Sequence, residues 1–459
     1  MVAIISGIGR NDVTLPKIAI IPTGGTIQNG QPLVSSSKAG GDFNLLRPQR
    51  LHEPVAVKIA KEDLDGNPLT IGPNEEPFWD VTLDPADGLY LLPPMTPGQS
   101  PPQGYAAVHM NARRIIEEID RFGLDTSGRN NLLAEAATLE VREIIDPRTG
   151  RELRAGGQTF SMFELVLISN AVNQALAEDD VAGCVVTHGT FTAEETACFL
   201  HYTVNSDKPV VVAASQRRHS SMGNDGDWNL VDAVRVAAHP DAKGRGAMLV
   251  MNEEILPARE VTKTNQRPGG FASSGGSASA LGSVESDQVT FYFRPERKHT
   301  LWSDVRPNGT LPEVMTRVDI VKTYAGADDV PIAALIDRAL KERSIPGAPQ
   351  KHGILVEGFA YDGKPHQFQM PILETAMYQH GLPVAVANRG DHGRVPRLVD
   401  NPFISCDNLM AVKARLLLIL AIEKLGMLTP FTDAANPSAD DRQRLQQQLQ
   451  RYQEIFDTH

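Results

Sequence analysis

Two short turns and one lysine carry the residue types that could perform nucleophilic chemistry. Thr23-Gly-Gly-Thr26 follows the apolar run KIAIIP, and Thr187-His-Gly-Thr190 follows the apolar run VAGCVV. Lys263 lies in REVTKTN, close after a further strand-like segment. A hydroxyl is a poor nucleophile at neutral pH, so it needs a neighbouring base and donors for the oxyanion. The three segments contain candidates for all three roles.

The residue types suit one another chemically. A lysine that burial keeps neutral can accept a hydroxyl proton, because desolvation lowers its pKa. Glycines beside a threonine let backbone N–H groups approach a carbonyl oxygen, which favours substrate contacts at Gly25 and Gly189. The ordinary alternative is turn geometry and helix capping for the Gly-Thr pairs, and a solvated position for Lys263. The residues alone leave both interpretations open.

Other chemistries have less support in these segments. TGGTIQNG lacks the G-x-G-x-x-G and G-K-S/T patterns of phosphate-binding loops, so nucleotide binding is not expected. No G-x-S-x-G elbow of a serine hydrolase is found. His188 could act as a base, but we expect backbone hydrogen bonds to fix it at the strand end. The three cysteines show no disulfide or metal spacing, and Cys184 and Cys198 are expected to be buried apolar residues.

Alternating strands and helices must position the candidate residues. The apolar, β-branched segments VAGCVVTHGT, KPVVVAAS and GAMLVMNEEI alternate with helical segments, which predicts a parallel sheet covered on both faces. Ligands of such sheets bind beyond the carboxyl ends of the strands. Thr26, Thr190 and Ser215 all lie just past predicted strand ends. We therefore expect them at one edge of one sheet.

The same alternation predicts an α/β chain of two domains. A large N-terminal parallel-sheet domain covers residues 1–305 and contains an insertion at about 28–155 that begins with a Pro- and Gly-rich stretch. A linker at 306–316 leads to a smaller C-terminal domain at 317–459. The last segment, ADDRQRLQQQLQRYQEIF, is predicted to be a surface helix at a subunit contact.

Charge and hydropathy exclude several partners. The formal net charge of −12 disfavours binding to nucleic acid or to an anionic membrane, since both need a basic surface. No apolar run approaches the roughly 20 residues of a membrane span. The N-terminal apolar patch has no basic segment ahead of it, so a secretory signal is not expected. A cytoplasmic setting is predicted.

Seven segments occur together in the order found in one family. They are TGGTI (23–27), VVTHGTFTAEETACFL (185–200), SDKPVVVAAS (206–215), NDGDWNLVDAVRVAA (224–238), REVTKTN (259–265), YAGAD (324–328) and NLMAVKARLLL (408–418). By these segments the chain resembles the bacterial-type L-asparaginase/glutaminase amidohydrolases over most of its length outside about 28–155. The resemblance implies a flavodoxin-like C-terminal domain and a homotetramer, a dimer of dimers, with active sites shared between subunits. It implies no metal or organic cofactor.

The resemblance also implies roles for individual residues. Thr26 looks like the first catalytic threonine, the usual acyl-enzyme nucleophile. Thr190 looks like the second catalytic threonine, with Lys263 beside it as the proton acceptor. The backbone around Thr190 and Ser215 would serve the oxyanion and the substrate amide.

The departures from the family pattern concern the substrate's α-amino group. The family usually has Asp directly after the second threonine, where the carboxylate binds the α-ammonium, and here that residue is Phe191. Gly326 stands at the usual Asn position, and Phe160 at the usual Gln position. No Glu stands near Val395, where a neighbouring subunit would supply one. The family's lid tyrosine is also not evident after the first turn.

These changes predict an altered substrate. An unpaired ammonium beside a phenylalanine is disfavoured, and each lost charge-assisted partner costs roughly 10²–10³ in specificity. The alternative for Phe191 is ordinary core filling. Thr159 and Ser161 could donate hydrogen bonds to a substrate carboxylate, although both residue types before a helix are commonly caps.

Three functional hypotheses follow. The first is a threonine-dependent amidohydrolase that hydrolyses a carboxamide or lactam in a small molecule lacking a free α-amino group. The second is an L-asparaginase/glutaminase in which a carboxylate of the insertion, such as Asp42, replaces the lost ones. The third is a non-catalytic small-molecule-binding relative. Thr26, Thr190 and Lys263 argue against the third, because a binder does not need all three.

Overall fold

A computed structural model provides the three-dimensional description of the chain. It describes residues 14–30, 55–60, 78–83, 108–109, 112–123, 130–153, 160–217, 219, 223–274, 279–285, 288–306, 311–312, 314–390, 393–397 and 402–459. Thr159 and Asp42 lie outside these residues.

The described residues form short and long strands joined mainly by helices. The strands are β1 (Lys17–Pro22), β2 (Asn29–Gly30), β3 (Val55–Ala60), β4 (Phe78–Leu83), β5 (Val108–His109), β6 (Thr138–Val141), β7 (Ile145–Asp146), β8 (Arg151–Glu152), β9 (Val181–Thr187), β10 (Val210–Ala213), β11 (Ala247–Met251), β12 (Glu254–Pro257), β13 (Val261–Lys263), β14 (Phe271–Ser273), β15 (Gly282–Val284), β16 (Val289–Phe291), β17 (Arg317–Lys322), β18 (His352–Gly358), β19 (Val384–Asn388) and β20 (Ile404–Ser405). The helices are α1 (Ala112–Phe122), α2 (Leu132–Ala136), α3 (Met162–Leu176), α4 (Ala193–Thr203), α5 (Gly226–Ala238), α6 (Val330–Glu342), α7 (Met370–Tyr378), α8 (Ala411–Leu425) and α9 (Ala439–Thr458).

An eight-stranded sheet is the frame of the N-terminal domain. Its strand order is β16-β15-β12-β11-β10-β9-β1-β6. The five strands from β11 to β6 are parallel, and β12, β15 and β16 extend the sheet antiparallel. The predicted parallel sheet is therefore confirmed.

Alternate residues of the central strands enter two different cores. Val185 packs in a core with residues of α1, α2 and α5. Cys184 and Val186 pack on the opposite face with residues of α3 and α4. Burial on both faces explains why these strands read as continuous apolar runs rather than alternating ones.

Part of the predicted insertion belongs to this sheet domain. β6 pairs in parallel with β1, and Ile115 and Leu133 of the preceding helices are buried in the same core as β1. Residues 112–141 of the predicted insertion therefore pack as part of the large sheet domain, and the bounds of the insertion stay a prediction. Within the earlier stretch the structure describes two antiparallel pairs, β3 with β4 and β2 with β5.

The C-terminal domain has a second, smaller sheet. β17, β18, β19 and β20 are parallel and adjacent in sequence order. Helix α8 packs across β17, β18 and β19. This arrangement confirms the predicted α/β class with a smaller second domain. Residues 307–310 and 313 of the predicted linker lie outside the described residues, so its bounds stay a prediction.

The final helix is not purely a surface element. Tyr452, Ile455 and Phe456 of α9 are buried in the C-terminal core, against α8 and β20. Most other residues of α9 are exposed or half-buried, which agrees with the predicted surface helix, and its place at a subunit contact stays a prediction. Among the described residues, no helix combines the length and apolar character that crossing a bilayer requires.

Candidate active site

The two glycine–threonine turns meet at the carboxyl ends of β1 and β9. These strands are neighbours, with Pro22 opposite Thr187, and the Thr23 amide and hydroxyl both donate to the Thr187 carbonyl, at 3.1 and 2.8 Å. A Cβ placed on Gly25 would lie 2.4 Å from the Gly189 Cα, and the Gly25 φ is +90°. Only glycine fits there, because both the contact and the left-handed backbone exclude a side chain. The predicted meeting of the two turns at one sheet edge is confirmed.

Thr26 begins a single 3₁₀ turn directly after Gly25. The Gln28 amide donates to the Gly25 carbonyl at 3.1 Å, and the Gln28 side chain accepts from the Gly24 amide. Thr26 is half-buried while Ile27 is buried. The tight turn thus presents the first candidate nucleophile at the sheet edge, next to the second Gly-Thr turn.

Thr190 and Lys263 are in direct contact. The Lys263 Nζ lies 2.8 Å from the Thr190 Oγ1, although the two residues come from different strand ends. Partial burial lowers the pKa of Lys263, and the charge of Glu194 opposes this by raising it. A lowered pKa increases the neutral fraction of the amine, which is the form that can accept a hydroxyl proton. The predicted pairing of threonine and lysine is present in the structure.

Phe191 is exposed rather than packed in the core. Its side chain is 63% exposed, and the Lys263 Nζ lies 5.4 Å from the centre of its ring. Core filling is therefore wrong for Phe191. The ring lies beside the Thr190–Lys263 pair, in the turn that precedes α4.

The start of α3 approaches the same turn. The Phe160 ring packs edge-on against the His188 ring, with 5.2 Å between centroids. Ser161 caps α3: its hydroxyl accepts from the Phe163 amide at 3.2 Å, and the Glu164 carboxylate accepts from the Ser161 amide at 2.7 Å. Ser161 is therefore a helix cap in this structure, and a contact between Ser161 and a substrate stays a prediction.

Beyond β10, a glutamine that sequence reasoning missed reaches Thr190. Ser215 is buried and its hydroxyl donates to the Arg217 carbonyl at 2.8 Å. The next side chain, Gln216, lies 3.5 Å from the Thr190 Oγ1 and donates to the Asn265 carbonyl at 3.3 Å. Its position just past a strand end, at the same edge as Thr190, was the available signal.

His188 is a structural residue of the second turn. Its Nδ1 lies 2.7 Å from the Gly189 carbonyl, which can only accept, so Nε2 accepts from the Thr196 hydroxyl at 2.8 Å. Burial lowers the pKa of His188 to about 4, so the ring is neutral at pH 7. The expectation that hydrogen bonds fix His188 is confirmed.

Glu194 is the second residue that sequence reasoning missed. Its carboxylate accepts a hydrogen bond from the Lys263 amide at 2.9 Å. It lies in the first turn of α4, four residues after Thr190, where a carboxylate also interacts favourably with the helix dipole.

The two C-terminal positions that depart from the family pattern lie in the second domain. Gly326 follows β17, has a φ of +84° and has open space around it. Val395 is fully buried, and its side chain lies beside Gly363.

Comparisons with known proteins show which family the chain is similar to. The family described as "Asparaginase, N-terminal" matches residues 123–297. L-asparaginase 2 of Bacillus subtilis (strain 168) is 34% identical over 292 residues, which is 63% of this chain and 73% of the relative. Glutaminase-asparaginase of Acinetobacter glutaminasificans is 29% identical over 299 residues, 63% of this chain and 84% of the relative.

A solved structure shares the fold. The crystal structure of a probable cytoplasmic L-asparaginase from Campylobacter jejuni aligns with a TM-score of 0.65 at 23% identity, covering 97% of this chain and 100% of that one. The sequence similarity extends well beyond the two turns and spans most of the Bacillus subtilis relative. On these grounds the chain belongs to the bacterial-type L-asparaginase/glutaminase family of amidohydrolases.

Proposed function

We propose that this chain is a threonine-dependent amidohydrolase whose substrate is a small carboxamide or lactam without a free α-amino group. The observation that carries the proposal is the exposed Phe191 ring beside the contact between Thr190 and Lys263. The reaction class follows from family membership, and the substrate class follows from the ring.

The proposed reaction uses the two turns and the lysine. The Thr26 hydroxyl oxygen attacks the amide carbon, and its proton passes to the amide nitrogen as the C–N bond breaks. A carboxamide then releases ammonia, whereas a lactam opens and keeps its amine on the acyl chain. Water then cleaves the resulting ester and restores the Thr26 hydroxyl. The neutral Lys263 amine accepts the Thr190 proton over their 2.8 Å contact, which would let Thr190 relay a proton to or from the reacting groups. Backbone N–H groups beside Gly25 and Gly189 would stabilise the oxyanion.

The Phe191 ring does not replace a carboxylate as an ammonium partner. A cation–π contact at an exposed site contributes about 0.5–1 kcal/mol, whereas a hydrogen bond to a charged group contributes about 1.5–3 kcal/mol. The Lys263 amine already lies 5.4 Å from this ring, so a second cation there would also meet like charge when Lys263 is protonated. An uncharged, apolar group of the substrate fits this position better.

A second candidate function is hydrolysis of L-asparagine or L-glutamine. The names of the relatives, L-asparaginase 2 and glutaminase-asparaginase, favour it. In that case a carboxylate from elsewhere in the chain, such as Asp42, would bind the amino group. The homo-oligomeric dimer of dimers with shared active sites and the cytoplasmic location remain predictions under both candidates.

A substrate panel separates the candidates. Ammonia release by the purified chain would be measured with L-asparagine, L-glutamine, succinamate and a small lactam whose ring opening is followed separately. We expect kcat/KM for succinamate or the lactam to exceed that for asparagine by roughly 10²-fold or more. Strong asparagine turnover would contradict the first proposal. No product from any amide, with ligand binding unchanged in Thr190→Ala, would favour the non-catalytic binder.

A further inference from the structure

The strand that carries Lys263 is not part of the main sheet. β13 has three residues and pairs with β14 in a separate two-stranded sheet. So short a pair is a weak support by itself, since isolated two-stranded sheets are marginally stable. The Lys263 amine nevertheless has to be held within hydrogen-bonding distance of Thr190. Additional contacts must therefore fix β13.

One contact comes from the N-terminal side, at α4. The Glu194 carboxylate accepts from the Lys263 main-chain amide at 2.9 Å. Glu194 lies on the helix that begins just after Thr190, so a single element connects the two partners of the catalytic contact. This hydrogen bond to a charged acceptor is stronger than one between neutral groups.

A second contact comes from the C-terminal domain. Lys413 of α8 is fully buried, and its Nζ donates to the Arg259 carbonyl at 3.0 Å and to the Val261 carbonyl. These carbonyls belong to β13 and the residues directly before it. A buried ammonium is costly unless hydrogen bonds satisfy it, so its acceptors are closely constrained. The C-terminal domain is thus hydrogen-bonded to the strand that carries Lys263.

We propose that Glu194 and Lys413 are positioning residues that hold β13 from two sides and so place the Lys263 amine against Thr190. The kinetic consequence of this proposal rests on the proposed function, whereas its structural consequence does not. Lys413 acts through the backbone carbonyls that it contacts and has no proposed contact with substrate or with the reacting atoms.

The charged groups around both lysines set the expected direction of each effect. Glu194 faces Lys263 from α4. Cys198 and Glu194 of α4, together with Glu260 and Arg259 before β13, face Lys413. Removing the Glu194 charge should lower the pKa of Lys263. Removing Lys413 should raise the pKa of Lys263 towards that of a solvated lysine. A loosened β13 lets water reach Lys263, and the Glu194 charge loses a nearby cation.

The titration of Lys263 tests the proposal without any substrate. Lysines would be labelled with ¹³C at Cε, and the Lys263 signal would be assigned through Lys263→Arg. We expect Glu194→Gln, which keeps an acceptor for the amide, to lower the pKa of Lys263, because the charge that raises it is lost. Glu194→Ala also removes the acceptor, so it should give a higher pKa than Glu194→Gln, because a loosened β13 lets water reach Lys263. We expect Lys413→Met to raise the pKa of Lys263. With a substrate that the chain hydrolyses, kcat should fall roughly 10- to 100-fold in Lys413→Met with little change in KM.

Arg415→Met is the matched control for Lys413→Met. Arg415 is a second, partly buried cation of α8, and its Nε donates to the Val318 carbonyl of β17 at 2.8 Å rather than to β13. This variant should lose stability but keep the Lys263 titration and kcat. Lys413→Arg, which retains donors, should restore part of the kcat lost in Lys413→Met.

Two results would overturn the proposal. One is the same pKa of Lys263 in Glu194→Ala as in Glu194→Gln, since only the alanine variant removes the acceptor for the Lys263 amide. This result remains decisive if Lys413→Met fails to fold. The other is that folded Lys413→Met and Arg415→Met have the same pKa of Lys263 and the same kcat. Lys413 would then contribute to stability alone. A failure of the proposed function would look different, because desamino amides would give no turnover while the Lys263 titration still responded.

Discussion

Phe191, beside Thr190, adds little to the stability of the fold through burial, because its side chain is largely exposed. Burying a Phe side chain contributes about 1.5–3 kcal/mol, and the Phe191 side chain is 63% exposed. Its neighbours in the turn have defined contacts: Thr190 bonds to Lys263, and Gly189 packs against Gly25. Single exposed apolar side chains are common on protein surfaces, so exposure alone does not define a site. The position of Phe191 directly after Thr190 is what supports our proposal that a ligand covers the ring.

Phe191→Asp tests that explanation directly. Restoring a carboxylate beside Thr190 should raise kcat/KM for L-asparagine roughly 10- to 10²-fold, because the α-ammonium regains a charge-assisted partner. It should lower kcat/KM for a desamino amide, which would now meet a charged group. Steady-state ammonia release with both substrates is the measurement.

Phe368→Asp is the control for this change. Phe368 is similarly exposed, at 61%, but lies in the C-terminal domain beside His366. Phe368→Asp should leave kcat/KM unchanged for both L-asparagine and the desamino amide. An unaltered preference in Phe191→Asp would show that Phe191 does not exclude the amino group.

Among the elements, the packed pair of turns is the most tightly constrained. β1 and β9 end side by side, and their turns touch at Gly25 and Gly189. Each glycine directly precedes a candidate catalytic threonine. A displacement of either turn therefore moves a hydroxyl to which we assign a role in the proposed reaction, and misplacement of a reacting group by about 1 Å can cost roughly 10²-fold in rate.

Gly25→Ala should consequently impair activity far more than backbone strain alone would. The new Cβ would meet the Gly189 backbone at 2.4 Å, so the turns must separate. We expect a loss of at least about 10²-fold in kcat together with a lower melting temperature. Both would be measured on the purified variant.

Gly347→Ala separates strain from collision. Gly347 has a φ of +79°, but a Cβ there would meet nothing within 4 Å. It should cost about 1–2 kcal/mol of stability and leave kcat unchanged. Equal effects of the two variants would show that the contact between the turns is unimportant.

For the whole molecule, α4 joins the site to both domains. Ala197 and Leu200 pack in one core of the large sheet, while Phe199 and Tyr202 pack in the core of the C-terminal domain. The helix starts directly after the turn that carries Thr190. The two domains are therefore expected to unfold together.

Phe199→Ala should test this coupling. Removing a fully buried Phe costs about 3–5 kcal/mol, and the loss should appear as one transition in denaturant. Amide hydrogen exchange should accelerate in both β9 and β18. Phe293→Ala, at a 55% exposed position, should leave both nearly unchanged. Faster exchange in only one sheet would contradict the coupling.

Much of the fold and the centre of the site could be read locally. Apolar runs of β-branched residues specify buried parallel strands, and turn residues directly after them specify the sheet edge. Thr26, Thr190 and Lys263 were recognisable because each follows such a run. Family likeness added their roles, and it also singled out Phe191.

What the sequence determined by itself is thus the class of fold, the two turns and the lysine, since local periodicity and turn chemistry encode them. Only the tertiary structure decided what surrounds Lys263. Glu194 is 69 residues away from it, and Lys413 reaches Val261 across 152 residues. The exposure of Phe191 and the membership of β6 in the large sheet were decided in the same way. Contacts over such separations depend on how whole elements pack, which no local pattern records.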